Sequence, residues 1–203
     1  MNYTWKRLRR CLKKLRNPAE YEAKLAELKD LLSLESQGFI KIYYADESGF
    51  NLTPNVPYGW QPKGEQSGIL SQRSPTTNVF GLLSKDNDFE GYTLKGSMNA
   101  ACLISFIDDF ASGLKQRTVI VLDNVSFHHS ALVKAKMAEW KEMDLLIWFL
   151  PTYSPHLNLI ETLWRKIKYE WLKPHHYASK DTFDQALAHI LTNIGSEFVI
   201  NFT

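Results

Sequence analysis

Two short apolar runs separated by a helical segment constrain this chain more than any other feature. Thr118-Val-Ile-Val-Leu122 is rich in β-branched side chains, the pattern of a strand covered on both faces. Leu145 to Leu150 is a second such run, closed by Pro151. The residues from about Ser130 to Met143 between them read as a helix. Strand, helix and strand in that order predict a parallel pair joined by a crossover, and so an α/β fold.

The upstream half reads differently. Phe39 to Tyr44 predicts a strand with Ile40, Ile42 and Tyr44 on one face, stopping at Asp46-Glu47-Ser48-Gly49. Residues 51–75, rich in Pro, Gly, Asn, Ser and Gln, read as a long loop or a short hairpin. Thr76 to Leu83 and Phe89 to Leu94 predict two strands joined by the polar turn Lys85-Asp86-Asn87-Asp88. Leu103, Phe106, Ile107, Phe110 and Leu114 form a helical stripe. Beyond Pro151 a helix is expected from Asn158 to about Leu172, and a last one from about Asp181 to Ile194, capped by Asp181 or Ser179. Near the N-terminus, Asn17-Pro18-Ala19-Glu20 is a helix start, Tyr21, Leu25, Leu28 and Leu32 share one face, and Gln37-Gly38 ends the helix. The order predicts a mixed sheet, three antiparallel strands then parallel strands, flanked by helices. Residues 1–36 are expected to form a basic arm and amphipathic linker helix, and residues 37–203 the main domain.

Composition narrows the function. At 203 residues, 44% hydrophobic and 23% charged, the chain is neither a disordered tail nor a disulfide-stapled miniprotein. No apolar run approaches the ~20 residues that span a bilayer, and no glycine-rich phosphate loop is present. Cys11 and Cys102, 91 positions apart, read as free thiols in a reducing cytosol. The formal charge of +2 is unevenly spread. Residues 1–16 hold seven cations (Lys6, Arg7, Arg9, Arg10, Lys13, Lys14, Arg16) and no acid, leaving −5 on the other 187 residues. A basic arm on a mildly acidic body suggests a polyanionic partner.

Two acids, Asp46 and Asp123, stand at the carboxyl ends of predicted strands, where α/β sheets place their sites. Glu161 lies in the first turn of the helix that follows the last strand. Three carboxylates without a thiolate make a hard, oxygen-only donor set suited to magnesium or manganese, and two such ions can serve phosphodiester chemistry. Each acid also has a plain structural reading. Asp46 suits a turn, Asp123-Asn124 a strand-to-helix link, and Glu161 a capping box with Asn158.

The local motifs bear on that choice. Tyr44-Ala-Asp46-Glu47-Ser48-Gly49-Phe50 with Tyr58-Gly59-Trp60-Gln-Pro62-Lys63-Gly64, then Val121-Leu122-Asp123-Asn124-Val125-Ser126-Phe127-His128, then Leu150-Pro151-Thr152-Tyr153-Ser154-Pro155-His156-Leu157-Asn158-Leu159-Ile160-Glu161 with Trp164, follow one another along the chain. Together, over roughly residues 5–175, they resemble the catalytic domain of bacterial insertion-sequence transposases of the mariner superfamily. The 37 residues between Asp123 and Glu161 fit the spacing of that family's Asp-Asp-Glu triad. The family usually has Pro, Asp and Pro where Thr152, His156 and Leu159 stand.

The resemblance implies a ribonuclease-H-like fold, metal-dependent DNA cleavage at element ends, and strand transfer by attack of the freed 3′-hydroxyl on target DNA. It implies Asp46, Asp123 and Glu161 as metal-binding carboxylates, with Asn124, His128 and Asn158 beside the site. Double-stranded DNA is the expected partner, contacted by the seven arm cations, Trp60, Lys63, Arg165, Lys166 and Lys168, in a homodimer within the bacterial cytoplasm, at the nucleoid. Family members carry helix-turn-helix modules ahead of the catalytic domain, and Met1 stands in what resembles the linker behind them. The expectation is a split element with a separately encoded helix-turn-helix subunit, or a truncated remnant. The competing function is an idle remnant that binds DNA or dimerises and interferes with transposition. A further alternative is a ribonuclease-H-like nuclease without strand transfer.

Overall fold

The computed structural model describes residues 16–55, 62–65, 68, 74–124 and 130–202. Helix α1 (Pro18–Ser36) starts where Asn17 accepts from the amides of Ala19 and Glu20, and ends before Gly38, whose φ of 78° only glycine adopts readily. Strands β1 (Lys41–Phe50), β2 (Thr77–Leu83) and β3 (Phe89–Lys95) follow. Helix α2 (Ala100–Ser112), β4 (Thr118–Leu122), α3 (Ala131–Glu142) and β5 (Leu145–Phe149) come next. Helix α4 (Ile160–Lys166) continues without a break into a π-helical turn (Ile167–Trp171), and α5 (Lys180–Thr192), capped by Ser179, is the last helix.

The five strands lie in the order β3-β2-β1-β4-β5. β1 is the pivot. It pairs antiparallel with β2 from Tyr44↔Leu83 to Phe50↔Thr77 and parallel with β4 from Lys41↔Thr118 to Tyr44↔Val121. Alternation along the strands makes two cores. Tyr43, Ala45, Phe80, Leu82, Ile120 and Leu122 pack beneath α2 and α3. Ile42, Tyr44, Val79, Val119 and Val121 pack beneath α4 and α5, with Leu31 of α1 at the margin.

Two boundaries depart from the sequence reading. β1 does not stop before Asp46-Glu47-Ser48-Gly49 but runs through it, because β2 supplies antiparallel partners as far as Phe50. On α1 Leu28 is buried and Tyr21 and Leu25 are half-buried as expected, whereas Leu32 is 40% exposed and Leu31 packs against the core instead.

Candidate active site

The parallel ladder between β1 and β4 ends at Tyr44↔Val121. Two residues further along each strand stand Asp46 and Asp123. Asp46 is thus mid-strand, at the level where β4 leaves the sheet while β2 still pairs with β1. It shares a face with Ile42, Tyr44 and Phe50, the face covered by α4. Glu161, in the first turn of α4, lines the same cleft of about 410 Å³, together with Asp123, Asn124, Asn158 and the loop from Leu150 to Pro155.

The electrostatics record this crowding. Burial, reinforced by the charges of Glu161 and Asp123, pushes the Asp46 carboxyl up to about 7. The Glu47 backbone N–H and the Trp164 indole act against that rise. Burial also raises Glu161, with Lys168 opposing, Asp123 adding to the rise, and Arg165 opposing. Three acids in one half-closed cleft are mutually unfavourable unless a proton or a cation joins them. The donor set is carboxylate oxygen, which fits a hard divalent ion. Among the described residues, no three His, Cys, Asp or Glu side chains close into a metal cage by themselves. Magnesium usually keeps several waters and takes only one or two carboxylates from the protein.

Neighbouring residues fix this geometry. The Trp164 indole N–H donates to Asp46 Oδ2 at 3.1 Å. Asn158 does not cap α4, since no side chain caps that helix. Its Nδ2 donates instead to the Ala45 carbonyl at 3.1 Å, tying the loop to β1 beside Asp46. Its buried Oδ1 has no hydrogen-bond partner. Trp164 looks like a plain core aromatic in the sequence. The signal that finds it is helical spacing, since residues three apart share a face and Glu161 is the other member.

The expected DNA contacts are dispersed. Lys168, on the π-helical turn, lies against the site. Burial lowers it while Glu161 and Asp46 pull it back up, and its Nζ sits 5.1 Å over the Phe50 ring. Lys166 is paired with Glu170 at 2.6 Å, and Arg165 is exposed. Lys63 is exposed in a turn. Arg16 binds the Tyr153 carbonyl. Lys6, Arg7, Arg9, Arg10, Lys13, Lys14, Trp60 and His128 lie outside the described residues.

A family model described as a DDE superfamily endonuclease matches residues 41–184. The chain belongs to the DDE endonuclease superfamily. The matched stretch runs from β1 into α5 and contains every described residue of the cleft. Among relatives of this DDE domain, the insertion element IS630 uncharacterized 39 kDa protein of Shigella sonnei is 22% identical over 193 residues. That alignment covers 94% of this chain and 55% of the relative, so the chain spans about half the length of the curated protein it matches. The Mos1 transposase paired-end complex with left transposon end superposes with a TM-score of 0.67 at 17% identity, covering 98% of this chain and 62% of that one. The mariner Mos1 paired-end complex with Mg gives 0.62 at 16% identity, covering 93% and 59%. These likenesses show that the DDE domain has the ribonuclease-H-like transposase fold.

Proposed function

We propose that the chain is the catalytic domain of a transposase, cleaving DNA at element ends and joining the freed 3′-hydroxyl to target DNA. The observation that carries the reading is the meeting of Asp46, Asp123 and Glu161 on one cleft, with Asp46 pushed up to about 7 by burial and its acidic neighbours. Asp46, Asp123 and Glu161 would hold two magnesium or manganese ions, which when bound would polarise a phosphodiester and lower the pKa of an attacking water. The Mos1 structure described with Mg supports the choice of ion.

The protein's own groups have separate tasks. Asp46, raised to about 7, would have to be deprotonated to serve as a metal ligand. Lys168 holds positive charge beside Glu161 and Asp46 and, together with Arg165, offers phosphate contacts at the cleft. Asn158 and Trp164 hold the cleft wall and Asp46 in place. Double-stranded DNA is the partner, a choice supported by the Mos1 complex with a transposon end, and the chain acts as a homodimer with the arm cations on the phosphate backbone. Recognition of terminal repeats is assigned to helix-turn-helix modules, on a separate subunit if the element is split.

Asp46→Asn, Asp123→Asn and Glu161→Gln each keep side-chain shape and remove one charge. Each should abolish cleavage of a labelled duplex in magnesium while leaving circular dichroism unchanged. Near-wild-type cleavage by any one of them removes that residue from the site. Wild-type protein that binds DNA but never cuts it, in either metal, selects the idle-remnant reading. Cutting without joining selects a nuclease.

A further inference from the structure

One wall of the cleft is the loop from Leu150 to Pro155, and it contains a strained residue. Tyr153 has a φ of 57°, in the left-handed region that side chains with a β-carbon rarely occupy. Such a conformation persists only where the surroundings hold it. Here the restraint comes from the segment just ahead of α1. Arg16 donates to the Tyr153 carbonyl from both Nε, at 3.1 Å, and Nη2, at 2.5 Å. The same Nη2 lies 3.4 Å from His156 Nδ1. Tyr21, in the first turn of α1, places its hydroxyl 3.2 Å from His156 Nε2 and stacks on that ring. The Arg16 guanidinium sits 4.9 Å over the Tyr21 ring. Three side chains and the Tyr153 carbonyl form one network joining residues more than 130 positions apart in sequence.

We infer that Arg16 and Tyr21 are positioning residues, a latch that holds the Tyr153 loop in the conformation forming the cleft wall. Arg16 then differs in kind from the six cations that precede it. They offer charge to phosphate, whereas its planar fork is engaged by the Tyr153 carbonyl and His156. Phosphate competing for Arg16 would release that carbonyl and free Tyr153 from its strained state. The effect of the latch on turnover rests on the proposed cleavage activity. The network itself stands on the contacts alone.

The test uses the full chain as wild type, Arg16→Ala, Arg16→Lys and Tyr21→Phe. Hydrogen exchange is read at the Leu157 and Asn158 amides, which close the turn at Pro155–Leu157 by bonding Ser154 and Pro155 carbonyls. Arg16→Ala should speed their exchange by roughly tenfold with β1 and β4 unchanged. Arg16→Lys keeps the charge but loses the fork, and should behave like the alanine variant. Tyr21→Phe removes one hydroxyl and should give a smaller rise. On a duplex substrate, Arg16→Ala should lower kcat by roughly tenfold while KM changes less than about twofold, since misplacement rather than lost affinity is the defect. Unchanged exchange in Arg16→Ala overturns the latch. Full rescue by Arg16→Lys, or a raised KM at constant kcat, overturns it in favour of a simple phosphate contact. If wild-type protein cuts no DNA, the cleavage reading fails, and the exchange data still decide the latch.

Discussion

The indole N–H of Trp164 donates to Asp46 Oδ2 at 3.1 Å, and the residue paired with Asp46 on β2 is Gly81. A β-carbon at Gly81 would come within 2.8 Å of Trp164 Cη2 and 3.1 Å of Ile160 Cδ1. The glycine leaves the space in which the ring lies against the sheet. Glu161 and Trp164 are neighbours on α4, so this one ring links the helix that carries one acid to the strand that carries another.

Trp164→Phe should keep most of the packing against Phe50 and Phe89 and remove only the donor. A hydrogen bond to a charged group contributes about 1.5–3 kcal/mol. Without it, the Asp46 carboxyl should rise further above about 7 and hold its proton more tightly. Calorimetric titration with magnesium at pH 7 should show affinity weakened by roughly tenfold or more. Wild-type affinity in the phenylalanine variant would mean that the indole only packs.

Gly81→Ala forces a methyl group against a buried, rigid ring. Overpacking of this kind costs about 1–3 kcal/mol. Urea denaturation should show that loss, and duplex cleavage should fall although no acid of the cleft is altered. A variant with normal stability and cleavage would show that Trp164 moves aside without disturbing Asp46.

The Asp46 carboxyl gives a pH dependence of definite sign. Its folded value, about 7, lies above its ordinary 3.8. The folded chain therefore binds this proton more tightly than the unfolded chain. The resulting stabilisation is complete below about pH 4 and is lost as pH rises through about 7. A divalent ion competes with the proton, so at pH 6 its affinity should be about tenfold weaker than at pH 8. Thermal melts with and without magnesium should show a larger rise in Tm at pH 8 than at pH 6, and Asp46→Asn should abolish that difference. Equal magnesium effects at both pH values in the wild type would contradict the assignment.

Deleting residues 1–15 removes six cations and leaves Arg16 in place. Each phosphate contact contributes about 0.9 to the slope of log affinity against log salt. With four to six contacts, the slope for duplex binding should flatten by about 4–5 units. Binding to a terminal-repeat duplex and to a scrambled one should be similar, because phosphate contacts carry no base information. An unchanged slope would show that these residues pack or dimerise instead.

Much of this protein can be read from short range. The apolar runs at 118–122 and 145–150, the caps at Asn17 and Ser179, and the polar turn before Phe89 depend on neighbours within a turn or two, and the structure follows them closely. Motif order singles out the three acids, and the fold brings them to one cleft, with Asp46 in mid-strand rather than at a strand end. Other features depended on partners far along the chain. Asp-Glu-Ser-Gly became strand rather than turn because β2 supplied a ladder. Asn158 left its capping role for the Ala45 carbonyl, 113 positions away. Trp164 is the core aromatic the sequence suggests, and it is also the hydrogen-bond donor to Asp46 across 118 positions. Local periodicity sets which face of an element is apolar. Strand pairing, burial and the pKa of Asp46 depend on which distant groups share that face, and those the tertiary structure alone decides.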